Sequence, residues 1–117
     1  MRLIEFRDLL SAVLPAVYHY TAPETPPGTY LVWNEYSAGG TYADGRRVVK
    51  TQQIQLDLYT KTEFDPMLDN LELVLTDAGI AFSGPNTEYD PKTGYIHNQW
   101  DCEVIVCGTA KSNSPDG

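Results

Sequence analysis

The chain has 117 residues, 42% of them apolar, and a formal net charge of −8. That length suits one domain able to bury a core without metal or disulfide staples. The charge is confined to one half: residues 1–50 carry five acids and five bases, residues 51–117 eleven acids and three bases. Such a balance repels nucleic-acid phosphates rather than gripping them.

Residues 2–14 read as an amphipathic helix, with Leu3, Phe6, Leu10 and Val13 on one face and Pro15 as its stop. Val17–Tyr20 is a short strand. Pro23, Pro26 and Pro27 make Thr21–Gly28 an extended loop. Thr29–Tyr36 is a strand with apolar residues on both sides, Leu31 and Trp33 on one, Tyr30, Val32 and Tyr36 on the other, which suits a position covered on both faces. Ser37–Arg47, with Gly39-Gly40 and Asp44-Gly45, reads as a polar, Gly-rich hairpin tip, and Asp-Gly favours a type I′ turn.

Val48–Thr60 is the returning arm. Ile54, Leu56 and Leu58 alternate with Gln53, Gln55, Asp57 and Tyr59, the period of a strand with one wet face. Asp65 is an N-cap, Pro66 a first helical residue and Gly79 a stop, bracketing a helix with Leu68, Leu71, Leu75 and Ala78 on its apolar side. Ile80–Tyr89 and Gly94–Cys107 form a last hairpin, with Ile96, Trp100, Cys102, Val104 and Val106 inward. Gly108–Gly117 is small and polar and is expected to be disordered. The sum is a single α+β domain, residues 1–107: an antiparallel-rich mixed sheet, an N-terminal and a second helix packed on it, and a long β-hairpin arm.

Candidate chemistry is sparse. His19 and His97 lie in strands without metal-ligand spacing, and His97 is expected to face solvent. Asp101 and Glu103 share a strand face with His97, which only faintly resembles a metal patch. Cys102 and Cys107 are five apart in a strand, so they point to opposite faces and form no disulfide. Cys102 is expected inward and unreactive. Gly39-Gly40 lacks the Gly-Lys-Ser/Thr end of a phosphate loop. No catalytic site, cofactor or metal is expected. No basic run with an apolar core marks a secretory leader, and no apolar run is long enough to span a bilayer.

Interaction is better supported. Tyr30, Tyr36, Tyr42 and Tyr59 lie along the hairpin and Tyr89 and Tyr95 flank the last turn, and tyrosine is favoured at protein interfaces. Arg46, Arg47 and Lys50 form a small basic cluster at the tip, suited to an acidic protein surface. The candidate interface is therefore Gly39, Gly40, Tyr42, Asp44, Arg46, Arg47 and Tyr59. Asp65, Asp69 and Glu72 make a run of acids on the second helix.

Three segments carry a resemblance: Tyr30-Leu31-Val32-Trp33-Asn34-Glu35, Ile54-Gln55-Leu56-Asp57-Leu58-Tyr59-Thr60-Lys61, and Tyr89-Asp90-Pro91-Lys92-Thr93-Gly94-Tyr95-Ile96-His97. In their element order, over residues 1–107, the chain resembles the small tail-completion proteins of long-tailed (siphovirus-like) bacteriophages and prophages, tail terminators among them. The resemblance implies a ring, a hexamer in that family, that caps the head-proximal end of the tail tube and joins the head connector. The tube protein and the connector would be its partners, with DNA passing unbound. Its place would be the virion, after assembly in the host cytoplasm. Asp65, Asp69 and Glu72 are then candidate lumen acids, and like charges around the axis make assembly strengthen with salt unless Arg46 and Arg47 neutralise a neighbour. A head-completion or neck protein, and a non-phage acidic binding module or inhibitor, are the alternatives.

Overall fold

A computed structural model describes residues 1–22, 26–43 and 45–108. The elements are α1 (Leu3–Ser11), β1 (Val17–His19), β2 (Tyr30–Ala43), β3 (Arg46–Thr60), α2 (Pro66–Asp77), β4 (Ala81–Tyr89) and β5 (Ile96–Gly108). They form one compact α+β domain around a five-stranded mixed sheet of order β1-β2-β3-β5-β4. Only the β1–β2 pairing is parallel; the other three are antiparallel.

Helix α1 starts where the Arg2 backbone N–H donates to Glu5 Oε1 (2.7 Å). It stops at Ser11, before the expected end at residue 14, because the chain turns at Ala12 and Val13. Leu14 nevertheless stays over the core at 4% exposure. Helix α2 follows its sequence signals. Asp65 Oδ1 accepts from the Met67 N–H (2.9 Å), Pro66 opens the helix, and Gly79 takes φ +73° just after it.

Both helices lie on one face of the sheet. Phe6 and Leu10 of α1 and Leu71 and Leu75 of α2 meet Leu31, Trp33, Ile54, Leu56, Leu58, Trp100, Cys102 and Val104. These are one alternate set from β2, β3 and β5, as the period of two requires. Asn98 belongs to the same inward set and is 1% exposed; its Oδ1 accepts from Thr87 Oγ1 (2.9 Å).

The hairpin arm is longer than the sequence reading. The expected loop Ser37–Arg47 is strand almost to its end, paired through Ala43↔Arg46, so the loop is two residues. Gly45 takes φ +75°, as a two-residue turn demands, while Asp44 lies outside the described residues. A β-bulge at Tyr36 lies between the body and the arm. Strand β5 accompanies β3 as far as Val49↔Gly108. Gly108, expected in the tail, is therefore the last strand residue, and residues 109–117 lie outside the described residues, as does the side chain of Cys107.

Candidate functional site

Among the described residues no helix covers the second face of the sheet, and that face is not simply wet. Cross-strand register sets Tyr30 beside Tyr59, Tyr59 beside His97, and His97 beside Glu88. The rings stack in that row: Tyr30 on Tyr59 at 4.6 Å and Tyr59 on His97 at 4.5 Å. Tyr95 meets Tyr30 edge-on at 5.5 Å. Its hydroxyl sits between the carbonyls of Pro26 and Gly28 (2.6 and 2.8 Å), so it pins the end of the Pro-rich loop by donating to one of them. Burial pushes the Tyr30 and Tyr59 hydroxyls up, with the Asp57 carboxylate adding to the effect at Tyr59. Both stay neutral and usable as donors.

Asp57 corrects the expectation of a solvated strand face. It is 6% exposed, and its Oδ1 lies 2.6 Å from His97 Nε2 while Gln55 Nε2 donates to both carboxylate oxygens. His97, expected to face solvent, is half-buried between this carboxylate and the Tyr59 ring. Tyr30 and Tyr95 are buried too, whereas Tyr36, Tyr42 and Tyr89 are exposed. Hollows flank the aromatic row on either side. One, of about 420 Å³, is lined by Tyr59, Glu88, Tyr89 and Tyr95; the other, of about 540 Å³, by Tyr20, Val32, Asn34 and Asp57.

A second polar cluster went unread in the sequence. At the β1 edge, His19 is sandwiched between Tyr20 (3.9 Å) and Trp33 (4.0 Å), with Nε2 2.9 Å from Glu35. Tyr20, at φ +72°, folds back so that its hydroxyl donates to the same carboxylate. Burial pushes the Glu35 carboxyl up, but the hydrogen bonds from Tyr20 and His19 outweigh it and hold the group below the usual carboxylate range. Tyr20 follows a three-residue strand and Glu35 lies far along the chain, so only the parallel register brings them together.

These clusters stack and hydrogen-bond among themselves; they are not assembled as a nucleophile with its base. Cys102 faces the helices, on the other side of the sheet from His97, and burial pushes its thiol up to about 12. Among the described residues no group of three or more His, Cys, Asp and Glu is placed to hold a metal ion.

The interface residues chosen from sequence separate into two places. Gly39, Gly40, Tyr42, Arg46 and Arg47 belong to the arm, the arginine side chains being outside what the structure describes. Tyr59 sits at the arm's far end, in the aromatic row. The three helix acids also differ from one another. Asp65 caps α2 and accepts from Thr60 Oγ1 (2.6 Å), and Glu72 Oε2 accepts from the buried Trp100 indole (2.8 Å). Asp69 alone of the three is exposed, so the run of acids is not one solvated stripe.

No family model and no curated protein matches the chain. Among solved structures, a chain in the virion of a native gene transfer agent (GTA) particle shares the fold. It aligns with a TM-score of 0.59 and 15% identity over 82% of each chain.

Proposed function

We propose that this chain is a structural protein of a phage-like virion, and within it a tail-completion protein of the terminator kind. The observation that carries the reading is the fold shared with a chain of the gene transfer agent virion over 82% of both chains. The resemblance of its strand segments to tail-completion proteins points the same way. The side chains support it further, since the arm and the open aromatic face offer surfaces for contact. In this role the protein forms a ring, a hexamer by analogy, on the head-proximal end of the tail tube and presents its other side to the head connector. Asp69 supplies lumen charge, with Asp65 and Glu72 behind it, and DNA slides past without specific binding.

Co-expression with the tail tube protein of the same phage or prophage tests this. Tubes should end in a cap of this protein, and they should run on past their normal length when it is omitted, both visible by negative-stain electron microscopy. Binding to the head connector but not to tubes would assign the head-completion role instead. Binding to neither would remove the virion reading.

A further inference from the structure

The two contact regions of the molecule are opposite in charge and distant from each other. We infer that the arm tip of one copy docks on the open aromatic face of a second copy, in a head-to-tail contact. The inference deepens the ring reading above and rests on it for closure of the chain of contacts.

Three of the eight Lys and Arg residues fall within residues 46–50, where Asp44 is the one nearby acid. Away from the tip, β3 from Gln53 onward, β5 and β4 carry Asp57, Glu88, Asp101 and Glu103 at outward positions and no lysine or arginine. A tip cannot reach its own face. Tyr42 is twelve residues along β2 from Tyr30, roughly 40 Å at a strand's rise, and both belong to one continuous ladder. The patch must therefore be met by another molecule, and a contact between two different patches propagates as a ring or a filament rather than closing as a two-fold dimer.

The chemistry of the face suits guanidinium groups. Each hollow beside the aromatic row offers tyrosine and a carboxylate, Glu88 on one side and Asp57 on the other. Arginine stacks on such rings and pairs with such acids. One ring of the cluster already holds a cation: Lys61 Nζ lies 4.7 Å from the Tyr95 centroid. The contact also reverses the expected salt response. Attraction between tip and face weakens as salt screens it, whereas lumen repulsion alone would make assembly stronger.

Native mass spectrometry of the full chain, with circular dichroism to confirm folding, tests the inference on two charge reversals. Arg46→Glu with Arg47→Glu, and Glu88→Lys with Asp101→Lys, should each weaken self-association by about tenfold or more, and the four changes together should restore it. A mixture of the two double variants should also assemble, in alternation, because the acidic tip of one meets the basic face of the other and the basic tip of the second meets the acidic face of the first. Wild-type assembly should fall as salt rises. Reversals that each assemble like wild type, a fourfold variant that stays dissociated, or a mixture of the two double variants that stays dissociated would overturn the inference. Should the face variant unfold, the tip variant with the salt series still decides, since the tip lies outside the core. A wild-type protein that stays monomeric at every salt would also overturn it, while cosedimentation with tail tubes separately decides the virion reading.

Discussion

The helix-covered and open faces of the sheet are made by the same strands with the same alternation, yet they hold together differently. On the covered face, Leu56, Leu58 and Trp100 are fully buried against α1 and α2 and gain from area removed from water. On the open face the described residues form no second layer. Tyr30, Tyr59, His97 and Asp57 cover one another through ring stacking and hydrogen bonds. The first arrangement is non-directional and stabilises the fold. The second is directional, polar and accessible at its margins, so it can be rearranged or extended by a partner. A period of two in a sequence says that two faces differ; it does not say that the less apolar one is wet.

The comparison can be broken most sharply from the covered side. Trp100→Ala removes a fully buried indole that also donates to Glu72, and it should cost about 3–5 kcal/mol. A chemical-denaturation curve should show a much lower midpoint at an unchanged slope. A loss under ~1 kcal/mol would mean that this face is not the core.

Tyr59→Ala on the open face should cost less, about 1–3 kcal/mol from its two stacked partners, and should disrupt assembly more than folding. Tyr59→Phe keeps both stacks and should leave stability nearly unchanged. Equal damage to melting temperature from Tyr59→Ala and Trp100→Ala would erase the distinction between the faces.

Glu72 sharpens the comparison, because it is an expected lumen acid that serves the covered face. Glu72→Ala leaves the buried Trp100 N–H without its acceptor and should cost about 1–3 kcal/mol. Glu72→Gln retains an acceptor oxygen and should cost a small fraction of that. Asp69→Asn, at an exposed position, should stay within about 0.5 kcal/mol. Thermal melts of the three variants give the ranking, and indistinguishable alanine and glutamine variants would deny the indole bond.

The smallest effect concerns the sheet edge. The Glu35 carboxyl is depressed in the folded protein, so its contribution to stability is present above the unfolded carboxylate value. It is lost as pH falls through the lower folded value. Acid unfolding of Glu35→Gln should therefore lack a component that the parent loses below about pH 4.5. Identical acid profiles for parent and variant would place that pairing outside the stability of the fold.

The sequence by itself determined the elements whose cause is local. Asp65-Pro66 and Gly79 bracket α2 because capping, a fixed φ and left-handed backbone are properties of single residues. Asp44-Gly45 marks the turn at the end of the hairpin, and the alternation of Ile54, Leu56 and Leu58 names the inward set. Where a non-local partner decides, the sequence was silent or misleading. Gly39-Gly40 suggested a loop but continues in strand, since pairing with Thr51 and Lys50 overrides weak propensity. His97 and Asp57 read as solvent-facing because nothing local says that β3 and β5 are neighbours in the register that joins them. Glu72 and Asp69 are alike in the sequence, and only the packing of α2 over Trp100 makes one a core hydrogen-bond acceptor and the other an exposed charge. The tertiary structure alone decided these matters, because register and packing are relations between segments forty or more residues apart in the case of Asp57 and His97, and no local preference encodes them.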